Sequence, residues 1–232
     1  MDLQQLIEFD QQLLLFFNGS GSMFMDQLAL TLTSGYTWIP LYVFLLVLVV
    51  KNNEKPSQIG LVIGAALLCI LLAEGLSAGI VKPLVHRPRP VMEPSLYGIV
   101  RVVNDYFPGG YSFFSSHAAN TSSLAVFFSL LVKNRAFTGY MVTWSLINCW
   151  TRLYLGAHFP LDILVGLLWG TIAGVVAYIV FLYGYTRVSP KLHYISAQYT
   201  KSGYSLMDID LTLTVMVLIC IYAVIRATLV IL

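Results

Sequence analysis

Apolar runs of about twenty residues recur along this chain and constrain its fold more than any other feature. A helix crosses the hydrocarbon core of a bilayer in about 20 mainly apolar residues. Five runs meet that length clearly and one does so less fully. The first, Leu28 to Val50, is interrupted by Gly35 and Pro40, which predicts a broken or re-entrant entry followed by a helix. Ile59 to Val81 is the second. The third, from about Ser116 to Val132, is short and opens on polar residues. Ala136 to Leu155, Pro160 to Gly184 and Leu211 to Leu232 complete the set. Hydrocarbon offers backbone groups no partner, so only closed helices satisfy them there. The expectation is an all-α integral membrane protein with six transmembrane helices in one bundle. Composition agrees: 58% of residues are hydrophobic and 10% charged, against about 25% charged in a soluble domain. The net charge of +2 is too small to point to nucleic acid.

Met1 to Phe17 contains Asp2, Glu8 and Asp10 but no Lys or Arg, so it does not resemble a secretory signal. Leu3, Leu6, Ile7, Leu13, Leu14 and Phe17 interleave with Gln4, Gln5, Gln11 and Gln12. That pattern predicts an amphipathic interfacial helix, lying along the membrane with one face in lipid. No linker, low-complexity tract or clear repeat follows, and residues 1–232 read as one domain. Cys69, Cys149 and Cys220 all fall in apolar runs and read as buried small hydrophobes.

Threading six spans sorts the basic residues onto two sides. One receives Lys51, Lys55, Lys133, Arg135, Arg187, Lys191 and Lys201; the other receives Lys82, Arg87, Arg89, Arg101 and Arg152. Reserving Lys82, Arg89 and Arg152 for chemistry leaves seven against two, which makes the first side cytoplasmic. The second side then faces outward, toward the periplasm or exterior if the membrane is a bacterial inner membrane. It also holds the long Pro-, Arg- and Gly-rich segment from Val81 to Ser116, and irregular segments of that length are usually functional or disordered.

Three clusters carry the chemistry. Lys82 and Arg89-Pro90 frame Lys-Pro-Leu-Val-His-Arg-Pro-Arg-Pro; Ser115-Ser116-His117 opens the third span; Arg152, His158 and Asp162 are spaced Arg-x5-His-x3-Asp between the fourth and fifth. Cations converging from two loops on one face make a candidate anion site. In this order the clusters resemble the type-2 phosphatidic acid phosphatase superfamily, and the six-span arrangement resembles its membrane branch. The run Tyr154-Leu155-Gly156-Ala157-His158-Phe159-Pro160-Leu161-Asp162 is especially close to that family's third motif. Departures are Phe114-Ser115-Ser116-His117 where the family has Pro-Ser-Gly-His, and Thr151 where it has Ser.

The resemblance implies a membrane lipid phosphatase working through a phosphohistidine at His158. The chemistry suits the residues. Arg89 and Arg152 offer planar donor forks and Lys82 a compact charge. Neutral His158 can attack phosphorus, with Asp162 fixing its tautomer. His117 can protonate the leaving oxygen, although a helix N-terminus disfavours its acid form. Ser115 or Ser116 can cap the third helix, whose free N–H groups favour an anion. No metal cluster or cofactor motif is present, so activity is expected to persist in EDTA. The implied partners are membrane lipids, one of them a phosphorylated substrate: undecaprenyl diphosphate, phosphatidylglycerol phosphate, phosphatidic acid or the 1-phosphate of lipid A, with a lean toward the isoprenoid. A phosphotransferase on the same scaffold would pass phosphate to another acceptor, whereas a transporter using Glu74 and Arg226 would not need these motifs. Glu74 and Arg226 are expected to pair, or Glu74 to orient a basic site residue. Arg87 and Arg101 read as topology anchors, and His86 and His193 as solvated or loop residues.

Overall fold

The computed structural model describes residues 2–188 and 197–231; the expectations for Lys191 and His193, and the end of the sixth run at Leu232, lie outside them. The helices are α1 (Leu3–Asn18), α2 (Met23–Thr33), α3 (Ile39–Lys51), α4 (Pro56–Leu76), α5 (Lys82–Val85), α6 (Ser116–Val132), α7 (Arg135–Tyr154), α8 (Pro160–Val188) and α9 (Leu206–Leu229). Among the described residues there is no β-strand beyond one bridge between Tyr199 and Ser205.

Polar residues at the run boundaries explain where helices start. Asp2 Oδ1 accepts from Gln5 N at 2.8 Å, Ser115 Oγ from Ala118 N at 3.3 Å, and Asn134 Oδ1 from Phe137 N at 2.9 Å. Each satisfies an N–H that the first helical turn leaves orphaned. The interruption expected in the first run is real: α2 and the segment Gly35–Lys51 meet at 67°, joined by a 3₁₀ turn over Gly35–Trp38.

By length and apolarity three helical segments can cross a membrane, and a fourth does so if the bent pair counts as one span. The six expected crossings therefore shrink to three or four on this criterion. α6 falls short at 17 residues with a polar start, and α7 carries Thr138, Thr143, Asn148, Thr151 and Arg152 along its length. α1 is helical; it packs against α7 and α8 and buries Asp10, Leu14 and Asn18 in protein, while Leu6, Ile7, Phe9 and Phe16 stay exposed.

α6 is the centre of the bundle, flanked by α8, α7 and α4. On α8, Gly166, Gly170 and Gly174 fall four apart and face it. A Cβ at Gly170 would stand 2.0 Å from Ser122 Oγ and 2.3 Å from the Ala119 carbonyl; one at Gly174 would stand 2.5 Å from the Ser123 carbonyl. Hydrocarbon supplies no hydrophobic force between helices, so close backbone approach and dispersion replace it. α9 packs on α2 and α3. Its Asp208 pairs with Lys51 and accepts from Asn52 Nδ2 at 3.1 Å.

Gly170→Leu is expected to force α6 and α8 apart at a cost of about 3 kcal/mol or more, read as a large fall in melting temperature in detergent. Gly64→Ala, where an added Cβ meets nothing within 4 Å, should leave the melting temperature nearly unchanged.

Candidate active site

The three sequence clusters converge on one cavity of about 370 Å³, lined by Lys82, Arg89, Ser116, His117, Arg152 and His158 together with Glu74 and Asn120. Four local devices bring them there. A π-helical turn over Ser77–Val81 interrupts the end of α4 just before Lys82, a distortion often found at functional sites. Ser115 caps α6 and places Ser116 and His117 in its first turn. Gly156, in the left-handed conformation at φ +62°, turns the chain out of α7; a side chain there would strike Val100 and Val91. Pro160 then opens α8, where its missing N–H costs nothing.

His158 is 1% exposed. Its Nε2 lies 3.2 Å from Arg89 Nη1, and its Nδ1 lies 3.7 Å from Asp162 Oδ2 with no hydrogen-bond partner. The expected His158–Asp162 hydrogen bond is thus stretched, because other donors hold the carboxylate. Asp162 Oδ1 accepts from Arg87 Nη1 at 2.7 Å; Oδ2 accepts from Phe159 N at 3.0 Å and from the Ser112 hydroxyl. A carboxylate behind Nδ1 and a guanidinium before Nε2 favour the tautomer with its proton on Nδ1 and its lone pair on Nε2. Burial first, then the nearby Arg152 and Arg89 charges, push the His158 pKa down to about 3, so the imidazole is neutral at physiological pH.

Lys82 Nζ donates to Ser116 Oγ at 3.1 Å, and Ser116 Oγ lies 2.9 Å from Ser77 Oγ. Arg152 Nη1 donates to Thr33 Oγ1 at 2.8 Å and to the Tyr106 hydroxyl at 2.7 Å, while its Nε has no partner. Ser115 is fully buried, spent on the α6 cap, and does not line the cavity; its N–H donates to the Asp162 carbonyl at 3.1 Å. Among the described residues, Lys82, Arg89 and Arg152 form no salt bridge with any carboxylate. Three cations against the single carboxylate of Glu74 leave the cavity lining net positive, which makes it an anion site.

Arg87 and Arg101 are not membrane anchors. Arg87 bridges Asp162 and Asp10, each at 2.7 Å, and lies 3.9 Å over the Phe159 ring. Asp10 also accepts from Leu161 N at 2.8 Å, so α1 caps the start of α8. Arg101 grips Asp26 and donates to Tyr154 OH at 2.9 Å, and its N–H donates to Asn18 Oδ1 at 2.7 Å. Asp10, Ser77, Tyr106 and Ser112 were not legible as site residues, since each depends on a partner remote in sequence. The expected Glu74–Arg226 pair does not form: Glu74 accepts from Asn120 Nδ2 at 2.8 Å, and Arg226 lies 3.5 Å from Tyr222 OH. His86 ends α5 in the left-handed conformation with its ring against Tyr111.

The PAP2 superfamily model matches residues 62–187, which include every cavity cation and both histidines. The chain belongs to the PAP2 superfamily, in its membrane lipid phosphatase branch. It is 36% identical over 179 residues to a lipid A 4'-phosphatase of Bacteroides thetaiotaomicron, covering 77% of this chain and 79% of that one. It is 32% identical over 188 residues to a lipid A 4'-phosphatase of Porphyromonas gingivalis, covering 80% and 78%. The crystal structure of Aquifex aeolicus LpxE superposes with a TM-score of 0.54 at 26% identity, over 72% of this chain and 92% of that one. Asp10 lies outside the family match.

Arg87→Leu would strand two buried carboxylates, and breaking such a pairing typically costs about 3–5 kcal/mol. The expected melting-temperature loss should be partly restored when Asp10→Asn is added. Unfolded histidine takes its proton near pH 6.5, whereas folded His158 does so only near 3. Between those values the unfolded state binds more protons, so stability present above pH 6.5 is lost as pH falls. This loss should reach about 2 kcal/mol at pH 5 and vanish from the pH profile of a His158→Gln variant.

Proposed function

We propose that the protein hydrolyses a phosphate from lipid A, using His158 as nucleophile. The observation that carries this reading is the joining of two environments. The net-positive cavity, with three cations and one carboxylate, shares Tyr42, Asn120 and Thr121 with an apolar groove of about 380 Å³ along α3, α4 and α6. A phosphorylated lipid has the same two halves. In this reading Lys82 and Arg152 hold the phosphate oxygens, Arg89 keeps its charge beside His158 Nε2, and the tail lies in the groove. As Nε2 of His158 bonds to phosphorus, the P–O bond to the lipid breaks and His117 protonates the leaving oxygen. The Nδ1 proton, facing Asp162, stabilises the positive phosphohistidine. Water then cleaves the P–N bond, returning its proton through His117.

The relatives' names move the substrate away from the isoprenoid diphosphate favoured by the sequence. They point to lipid A and to its 4'-phosphate, a position outside the four sequence candidates, which held the 1-phosphate instead. The reading also takes the chain across a bacterial inner membrane six times, counting α6 and α7 as spans, with the cavity outward and α1 along the interface. Charge asymmetry supports it. Lys82, Arg89 and Arg152 belong to the site and Arg87 and Arg101 to ion pairs, which leaves the outward side Arg226, in the last turn of α9, as its one surplus basic residue among those described. Lys55, Lys133, Arg135, Arg187 and Lys201 remain on the other side after Lys51 is set against Asp208.

The test is phosphate release by detergent-purified protein in EDTA, from lipid A, undecaprenyl diphosphate, phosphatidylglycerol phosphate and phosphatidic acid. Release from lipid A should be fastest and should fall at least about a thousandfold in His158→Ala. A wild type that releases nothing from any of the four, indistinguishable from the variant, would refute the reading.

A further inference from the structure

Glu74 contradicts the logic of a phosphate site. Its carboxylate lines the same cavity as Lys82, Arg89 and Arg152, where negative charge opposes a phosphate. Lys82 follows it by eight residues, near enough for the two charges to act on each other, yet among the described residues they form no salt bridge. Its Oε2 accepts from Asn120 Nδ2 at 2.8 Å. That contact fixes the amide, because a carboxylate opposite Asn120 requires its NH₂ and turns Oδ1 the other way. Oδ1 is buried and without a partner. Buried acceptors are rarely left so, and each one asks what it awaits. Asn120 lines both the phosphate cavity and the apolar groove, at the boundary where a headgroup gives way to its tail.

We infer that Glu74 and Asn120 form an acceptor pair that reads hydroxyl or amide N–H donors on the headgroup beside the phosphate, which makes the site selective for phosphorylated sugar lipids. The inference rests on the phosphatase reading and narrows its substrate. An acylated aminosugar phosphate carries such donors near its phosphate. The glycerol ester of phosphatidic acid and a polyisoprenyl chain carry only acceptors or hydrocarbon there. Binding either would leave Asn120 Oδ1 buried and unpaired, and a site built to hydrogen-bond a substrate group discriminates strongly against analogues that lack it.

The comparison is kcat/KM on lipid A and on phosphatidic acid, for wild type, Glu74→Leu and Glu74→Gln. The lipid A to phosphatidic acid ratio should fall about ten- to a hundredfold in Glu74→Leu. Glu74→Gln, which keeps an acceptor for Asn120 Nδ2, should restore part of it. Equal losses on both lipids would make the pair a structural contact between α4 and α6 and overturn the inference while leaving the phosphatase reading standing. An unchanged ratio would overturn it as well. A wild type that hydrolyses neither lipid would overturn the reading and the inference together. If Glu74→Leu does not accumulate, Asn120→Ala removes the orphaned acceptor and the same ratio decides.

Discussion

Backbone contact between α6 and α8 is the constraint on which the site depends. Side chains would hold two helices 8–10 Å apart; Gly166, Gly170 and Gly174 remove them from one partner. A Cβ at these positions would stand 2.7, 2.3 and 2.5 Å from the carbonyls of Ser115, Ala119 and Ser123. The seam runs to the first turn of both helices, where Ser115 N donates to the Asp162 carbonyl. Its register therefore decides how the α6 histidine faces the one before α8. Two helix N-termini reach the same end of the bundle, and their unpaired N–H groups add to the positive field of Lys82, Arg89 and Arg152. Asp10 offsets the α8 terminus by accepting from Leu161 N, while the α6 terminus at Ser116 stays at the cavity wall.

Charge is sorted across the imidazole of His158. Asp10, Arg87 and Asp162 lie behind it as a nearly closed ion-pair chain, and the cavity cations lie in front. An imidazole in that gradient is set to keep its proton on the carboxylate side. Burial alone would make His158 a poor base. The arrangement turns the same burial into an advantage, because the lone pair is never lost to a proton at neutral pH.

Much of this was legible in the sequence because it is carried by local spacing. The order Lys82, Arg89, Ser116, His117, Arg152, His158 needed no coordinates, and neither did Pro160 opening a helix with Asp162 in its first turn. The break near Gly35 followed from chain stiffness. What remained hidden depends on contacts across the chain. Arg87 looks like any membrane-edge arginine until Asp10, 77 residues earlier, is seen beside it. The glycine spacing on α8 gains meaning only when α6 is opposite. Glu74 was conspicuous as an intramembrane charge, but a costly charge shows that a partner exists and not which one, and Asn120 was the partner instead of Arg226.

The donor inventory also redistributes the roles the motifs suggest. Arg89 spends Nε on the carbonyls of Gly109 and Gly110, one Nη2 proton on Gly109, and Nη1 on Ala157 O and His158 Nε2. Of its five N–H groups about one is left for a ligand, so in this state it cannot grip a phosphate with a fork. It works as a clip, holding the 109–110 loop to the segment that carries His158 and keeping a positive charge at the Nε2 of that ring. Arg152 has a bare Nε, and Lys82 has given only one of its three protons, to Ser116. In the proposed reaction, recognition of the anion thus falls chiefly to residues on α5 and α7, and Arg89 fixes the direction from which His158 would meet it.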